Sequence, residues 1–309
     1  VIRAAAFLLG LLVPALALGQ GMLLPLTGAG GKAHVATGGG GYTGYVDSFA
    51  SPLGCWGFTA CSAAIGAANT SAVQWNCTNG GAQSGTLHVT STGGLNASDI
   101  SSMNTVCGAQ PITVQLTNQM NPGTADMTNG TSATRPVYTA SAVNSLPCAT
   151  FDGATTFLGA SLTTLTAQPY TISVVAMRTG NTSAENDIFD SYNAAGTTFG
   201  FLNSTNTVFM YAGSVQSTTA SDSNPHSIQA VFNGASSALD VDTGTANTVN
   251  AGSNSPDNTT VSLGAFVNGG TQNNFLTGKI CRIAVWGSAA NGTQLSNLHG
   301  NDVTTYGTP

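Results

Sequence analysis

An all-β sandwich of antiparallel strands is the fold this sequence predicts, and three observations predict it. Short β-prone runs recur along the chain, among them "AVQWNC", "TLHVTS", "PITVQL", "YTISVVAM", "TVFMYAGS", "HSIQAVFN", "TVSLGAF" and "KICRIAVW". They are separated by roughly ten to fifteen residues rich in Asn, Gly, Asp and Pro, the spacing of sandwich strands and their turns. Helix signals are few, and no alternation of strand with helix suggests a parallel, doubly wound sheet. With 309 residues, the chain is long enough to bury a sizeable core.

The surface this composition makes is unusual. Charged residues are 6% of the chain and the formal net charge is -6, against about 25% charged in an ordinary soluble protein. Ser, Thr, Asn and Gly supply the polarity instead, while 41% apolar residues argue against disorder. Six Lys and Arg make no basic stripe, so a nucleic-acid partner is not expected.

Taken in order, residues 1–19 ("VIRAAAFLLGLLVPALALG") combine one Arg with an apolar run of signal-peptide length. They read as a signal peptide or a retained apolar arm, and are the chain's one expected route to a membrane. Residues 20–45 are Gly-rich and without periodicity, the pattern of a linker. Residues 46–140 form a front subregion expected to pack on the sandwich. Within it "NASDISSMNTVCG" predicts a short helix, capped by Asn96 or Ser98, with Ile100, Met103 and Val106 on one face. Residues 141–309 hold most of the strands, and "NGTQLSNLHGN" predicts a short helix near the end.

Six cysteines behind an export-type segment suggest disulfides. Fifteen pairings are open. No CxxC spacing favours a metal, and Arg282 does not activate Cys281, because neighbours on a regular strand point to opposite faces. Cys281 therefore reads as a staple.

The segment from Leu146 to Asn301 resembles concanavalin A-like or laminin-G-like jelly rolls of the phage, prophage and bacterial type. The residues that carry the resemblance are "LPCATFDGATTFL", "YTISVVAMRTG", "HSIQAVFNGASSALDVDTGT", "TVSLGAF" and "LTGKICRIAVWGSAANGTQL", in the family's order. The region from Tyr42 to Tyr138 is similar to the front half of fungal arabinofuranosidase catalytic domains. There "LTNQMNPGTADMTNGTSATRP" takes the place of a Tyr-Asp-Gln-Ser-Gly pattern, with Leu116 for the Tyr and Asn118 for the Asp. The resemblance implies a first strand beside a last strand, hence Cys148 with Cys281. It also implies a small Cys55–Cys61 loop, which leaves Cys77 with Cys107.

Chemistry is harder to find. Glycosidases use a pair of carboxyl groups. The one Glu, Glu185 in "GNTSAENDIFD", aligns with no nucleophile of the arabinofuranosidases, which use a Glu and an Asp. Asp240 and Asp242 read as a hairpin. Asp187 and Asp190, with Tyr192 and Tyr211, are the candidate ligand-binding residues. Asp152 in "FDG" reads as a turn residue, with calcium as the alternative. No metal site and no other cofactor are expected. Among the His, His88 reads as solvent-facing and His226 as structural.

These readings predict a non-enzymatic, surface-displayed carbohydrate-binding protein of a virion: a decoration, fibre or receptor-binding component. Its partners would be a glycan or host-surface receptor, itself, or other virion proteins. The alternatives are a secreted bacterial lectin-like adhesin and an arabinofuranosidase-like glycoside hydrolase.

Overall fold

The computed structural model describes residues 43–78, 83–180, 184–191, 196–202, 207–220 and 222–309. The signal or arm expected at 1–19 and all but the end of the expected linker lie outside them. The fold is the predicted β-sandwich. Among the described residues, eleven strands form one large antiparallel sheet and six form a second.

The large sheet is centred on Thr277–Trp286, which lies between Tyr170–Arg178 and Leu146–Asp152. From Tyr170–Arg178 it continues through His226–Phe232 and Ser237–Val241 to Asn247–Val249. On the other side it continues through Val137–Val143, Ile112–Leu116 and Ser71–Cys77 to Ser84–His88. Gly54–Gly57 pairs with the upper half of the central strand. The front residues therefore extend the main sheet by their own strands.

The second sheet runs Val215–Ala220, Thr207–Tyr211, Thr197–Phe201, Asn186–Ser191, Val261–Leu263, Leu158–Ala160. Apolar residues of both sheets meet in one core, with Ile172, Val174, Ile280 and Ile283 from the first and Phe189, Phe199, Val208 and Leu263 from the second. The far face of the large sheet is covered too, by the helix Gly292–Tyr306 and by residues 45–61. That explains why Thr277–Trp286 is buried almost without interruption, as a strand covered on both faces must be.

The central strand carries a bulge. Ile280 pairs with Ala176 and Arg282 with Val175, so Cys281 is an extra residue. The expectation that Cys281 and Arg282 point to opposite faces is thereby corrected. Ile280, Ile283 and Val285 face the core, while Cys281, Ala284 and Trp286 face the helix side. Arg282 also faces that side, its guanidinium 3.5 Å from the Tyr45 ring centre. Tyr45, placed by the sequence at the end of a linker, is 1% exposed.

Around Arg282 a polar network closes the helix onto the sheet. Arg282 donates to Asp302 and, at 2.9 Å, to Asn301. Ser227 donates to the other Asp302 oxygen at 2.8 Å. Tyr45 donates to Ser173, and the hydroxyls of Tyr306 and Thr59 bond at 3.2 Å. Arg282 and Asp302 are both fully buried. This ion pair explains why the last helix, expected to be short, has 15 residues and continues past Gly300 to Tyr306.

Three disulfides pair Cys55–Cys61, Cys77–Cys107 and Cys148–Cys281, as the resemblance implies. The last spans 133 residues, worth about 5 kcal/mol in the chain-entropy model. The front helix is Ala97–Cys107, with the Asn96 side chain capping Ser98 N–H. Its buried stripe is Ile100, Met103 and Cys107; Val106 is 44% exposed, because the bond to Cys77 turns Cys107 inward in its place.

Candidate active site

The strand Asn186–Ser191 belongs to the second sheet and carries a second bulge. Phe199 pairs with Phe189, but its neighbour Gly200 pairs with Asp187, so Ile188 is the extra residue. Ile188 and Phe189 both enter the core. Without the bulge, Asp187 and Asp190 would point to opposite faces. With it they share the outer face, the one turned away from the large sheet, and the Thr198 hydroxyl beside Asp190 donates to Asp187 at 2.9 Å. Gly200 makes the bulge possible: a Cβ there would lie 2.3 Å from the Asn186 carbonyl oxygen and 2.8 Å from the Asp187 Cα.

The registers of the sheet set the neighbours of the two carboxyl groups. A single row crosses the outer face as Val215, Tyr211, Thr198, Asp190, Ser262 and Gly159. Beside it runs Ser217, Phe209, Gly200 and Asp187. The hairpin of Phe266–Asn268 and Thr271–Asn273 reaches over this face, where Val267 N–H donates to Asp190 at 2.9 Å. Asp187 donates its own N–H to the Asn274 carbonyl at 3.0 Å. Tyr211 is half-buried at the edge of the row. Tyr192 lies outside the described residues.

Electrostatics separates these groups from an ordinary surface. Asp187 and Asp190 are both 0% exposed. Burial drives the Asp187 carboxyl well above the usual carboxylate range; the charges of Glu185 and Asp190 push the same way, and Thr198 and Asn274 offset part of it. No cation pairs with Asp187 among the described residues, and its Oδ2 is buried without a hydrogen bond. Glu185, treated by the sequence as a polar loop residue, sits one residue before the strand. Its carboxyl is also raised by burial, with Asn274 opposing. Burial thus favours the protonated form of Asp187, which lies beside two further carboxyl groups. A protonated acid next to others on a strand face is an arrangement for proton transfer.

The structure brings the sequence candidates Asp187, Asp190 and Tyr211 onto one face, together with Thr198, Ser262, Asn274 and Glu185, which the sequence did not single out as site residues. A residue spacing of three across "DIFD" gave no sign of a shared face, because only a bulge creates one.

The other candidates go elsewhere. Asp152 accepts the N–H groups of Ala154, Thr155 and Thr156 and the hydroxyls of Thr155 and Thr156. Burial opposes its charge, but those bonds hold its carboxyl well below the usual range. It is the knot of a turn. Asp242 leaves the strand Ser237–Val241 with φ 62° and bonds His226 at 2.5 Å, so this pair builds a hairpin corner. His88, expected to face solvent, is 33% exposed and bonded to Asp99 at 2.9 Å. Among the described residues no group of three or more His, Cys, Asp or Glu is placed to hold a metal ion.

No family model and no curated protein matches the chain. Solved structures do. A GH54 α-L-arabinofuranosidase variant soaked with 4-nitrophenyl α-L-arabinofuranoside matches with a TM-score of 0.66 at 13% identity, over 85% of this chain and 66% of that one. An arabinofuranosidase complexed with arabinofuranosyl-α-1,2-xylobiose matches with a TM-score of 0.62 at 12% identity, over 85% and 65%. The chain thus spans just under two thirds of those proteins. At this identity the likeness is one of fold. It nevertheless overturns the expectation of a non-enzymatic protein. That expectation rested on the single Glu and on reading the Asp pairs as turn or ligand-binding residues, whereas the fold is similar to that of arabinofuranosidases and the carboxyl groups on its outer face are Asp.

Proposed function

We propose that the protein is a carbohydrate-active sandwich of the glycoside hydrolase type, cleaving a glycan at the outer face of the second sheet. The observation that carries the proposal is the bulge at Ile188, which brings the carboxyl groups of Asp187, raised in pKa by burial, and Asp190 to one face. Glycoside hydrolysis needs one protonated and one ionised carboxyl group. Asp187 donates its proton to the leaving oxygen as the glycosidic bond breaks. A second carboxyl group, Asp190 or Glu185, supports the sugar cation or takes a proton from the attacking water. Tyr211 is the half-buried side chain of the same row, and the Thr198 hydroxyl positions Asp187. The fold likeness to arabinofuranosidases makes an α-L-arabinofuranoside the first substrate to try.

Three disulfides suit an oxidising, extracellular setting, and among the described residues no helix is long and apolar enough to cross a membrane. An extracellular glycan is accordingly the partner in this proposal. The virion-surface role suggested by the phage resemblance finds no support in the fold likeness and is not carried forward.

The test is release of 4-nitrophenolate from 4-nitrophenyl α-L-arabinofuranoside. The wild-type protein releases it; Asp187→Asn, which keeps the shape and removes the proton, loses about a hundredfold or more. Equal rates in the two proteins, or no release by the wild type from this or other pentofuranosides, would sink the proposal.

A further inference from the structure

A second polar site lies on the large sheet, away from the carboxyl groups. A cleft of about 320 Å³ is formed by Gln74, Asn76, Ser84, Thr86, Gln115 and Arg135, with the backbone of their strands. The register builds it. Gln74 pairs with Thr86 on one side and Gln115 on the other, and Asn76 pairs with Ser84, so these side chains share one face. The alternate residues Val73, Trp75 and Cys77 enter the core. Gly85, opposite Trp75, leaves room for the indole ring on that inner side.

Arg135 is fixed over this floor. Its Nε donates to the Asn129 carbonyl at 2.6 Å and its Nη1 to the Asn76 side chain at 2.7 Å. Asn129 is itself held, donating to the Thr134 and Phe157 carbonyls and, through its N–H, to Gln115 Oε1 at 3.0 Å. That last bond turns the Gln115 amide so that its NH2 is available to the cleft. The acceptors holding Arg135 are neutral. All twelve acidic residues of the chain lie in the described segments, and none forms an ion pair with Arg135. Partial burial lowers the pKa of this guanidinium, with no anion to offset the cost. In a chain with six cations and twelve acids, a rigid Arg without a carboxylate is a conspicuous arrangement. The guanidinium fork matches a carboxylate, and the surrounding amides and hydroxyls match sugar hydroxyls.

We propose that this cleft binds an acidic saccharide, with Arg135 receiving the carboxylate of a hexuronate unit and Gln74, Gln115 and Thr86 bonding its hydroxyls. The site is on the other sheet from Asp187, so its occupancy is independent of the hydrolysis proposed above and is read by binding alone.

Calorimetric titration with tri-α-1,4-galacturonate and with its methyl-esterified, uncharged form tests this. The wild-type protein binds the acid at least tenfold more tightly than the ester, and added salt weakens the acid alone. Arg135→Gln reduces binding of the acid to the level of the ester. Gln74→Glu, which leaves the supports of Arg135 untouched and sets a carboxylate beside it, does the same, so a folding defect in the first variant does not decide the result. Equal affinity for acid and ester, no binding of either, or undiminished binding by a folded variant would overturn the proposal.

Discussion

Bulges in two strands of this protein each place an ionisable residue on the far side of the sheet. In Thr277–Trp286 the extra residue is Cys281, and Arg282 meets the buried Asp302. In Asn186–Ser191 it is Ile188, and Asp187 meets a hydroxyl, a backbone carbonyl and other carboxyl groups, but no cation among the described residues. Asp302 and Asp187 are equally buried, at 0% exposed. The first carboxyl is surrounded by the donors Arg282 and Ser227, and the network holds a helix to a sheet. The second has a buried oxygen with no donor, and its burial favours the protonated form. Burial alone therefore does not identify a functional acid; the proposal for Asp187 rests on burial beside other carboxyl groups with no counter-charge among the described residues.

Removing one partner from each pair separates them most sharply. Asp302→Ala leaves Arg282 buried without a counter-charge and lowers stability by about 3–5 kcal/mol, read from urea unfolding. Asp187→Asn replaces a neutral acid with a neutral amide and changes stability at about pH 4, where the unfolded chain also holds the proton in part, by less than about 1 kcal/mol. A large loss in the second variant would mean that Asp187 is ionised and structurally paired.

The next effect concerns the bulge itself. Gly200→Val drives a side chain into the Asn186 carbonyl and costs about 1–3 kcal/mol. It also turns Asp187 away from Thr198, so hydrolysis falls further than the loss of folded protein explains. Unchanged specific activity of the folded fraction would break the link between bulge and site.

A smaller effect appears in the pH dependence of stability. An unfolded chain releases the Asp187 proton near its ordinary value of 3.8, whereas the folded protein keeps it. Between those pKa values the native state binds more protons, so this group makes stability fall as pH rises. Asp187→Asn flattens that slope, a difference visible in melting temperatures from pH 4 to pH 8. His226 contributes a weaker slope of the same sign. Burial opposes its charge, but Asp242 and Asp222 raise its pKa above 6.5. Its contribution is full below 6.5 and fades as pH climbs through the raised value, and His226→Gln removes it.

The sandwich was legible because apolar alternation and turn residues are local signals, and its strands largely match the runs that suggested them. The disulfides came from family order rather than spacing. Both bulges were invisible, since alternation assumes one residue per partner; this is why Arg282 was placed on the wrong face and why Asp187 and Asp190 gave no sign of sharing one. The last helix was cut short because Gly300 and three β-branched residues oppose helix, and only the distant Arg282 explains why Asp302 sits in one. Arg135 stands in the sequence only as part of the stretch "LTNQMNPGTADMTNGTSATRP", because its lack of a carboxylate partner is a property of the folded chain.

The central claim is that Asp187 is protonated in the folded protein at neutral pH. Carboxyl 13C NMR of the protein labelled at aspartate, with Asp187→Asn used to assign the resonance, measures this directly. Asp187 is expected to show a protonated carboxyl shift at pH 7 that moves only at higher pH. An Asp187 resonance already ionised at pH 5 would contradict it.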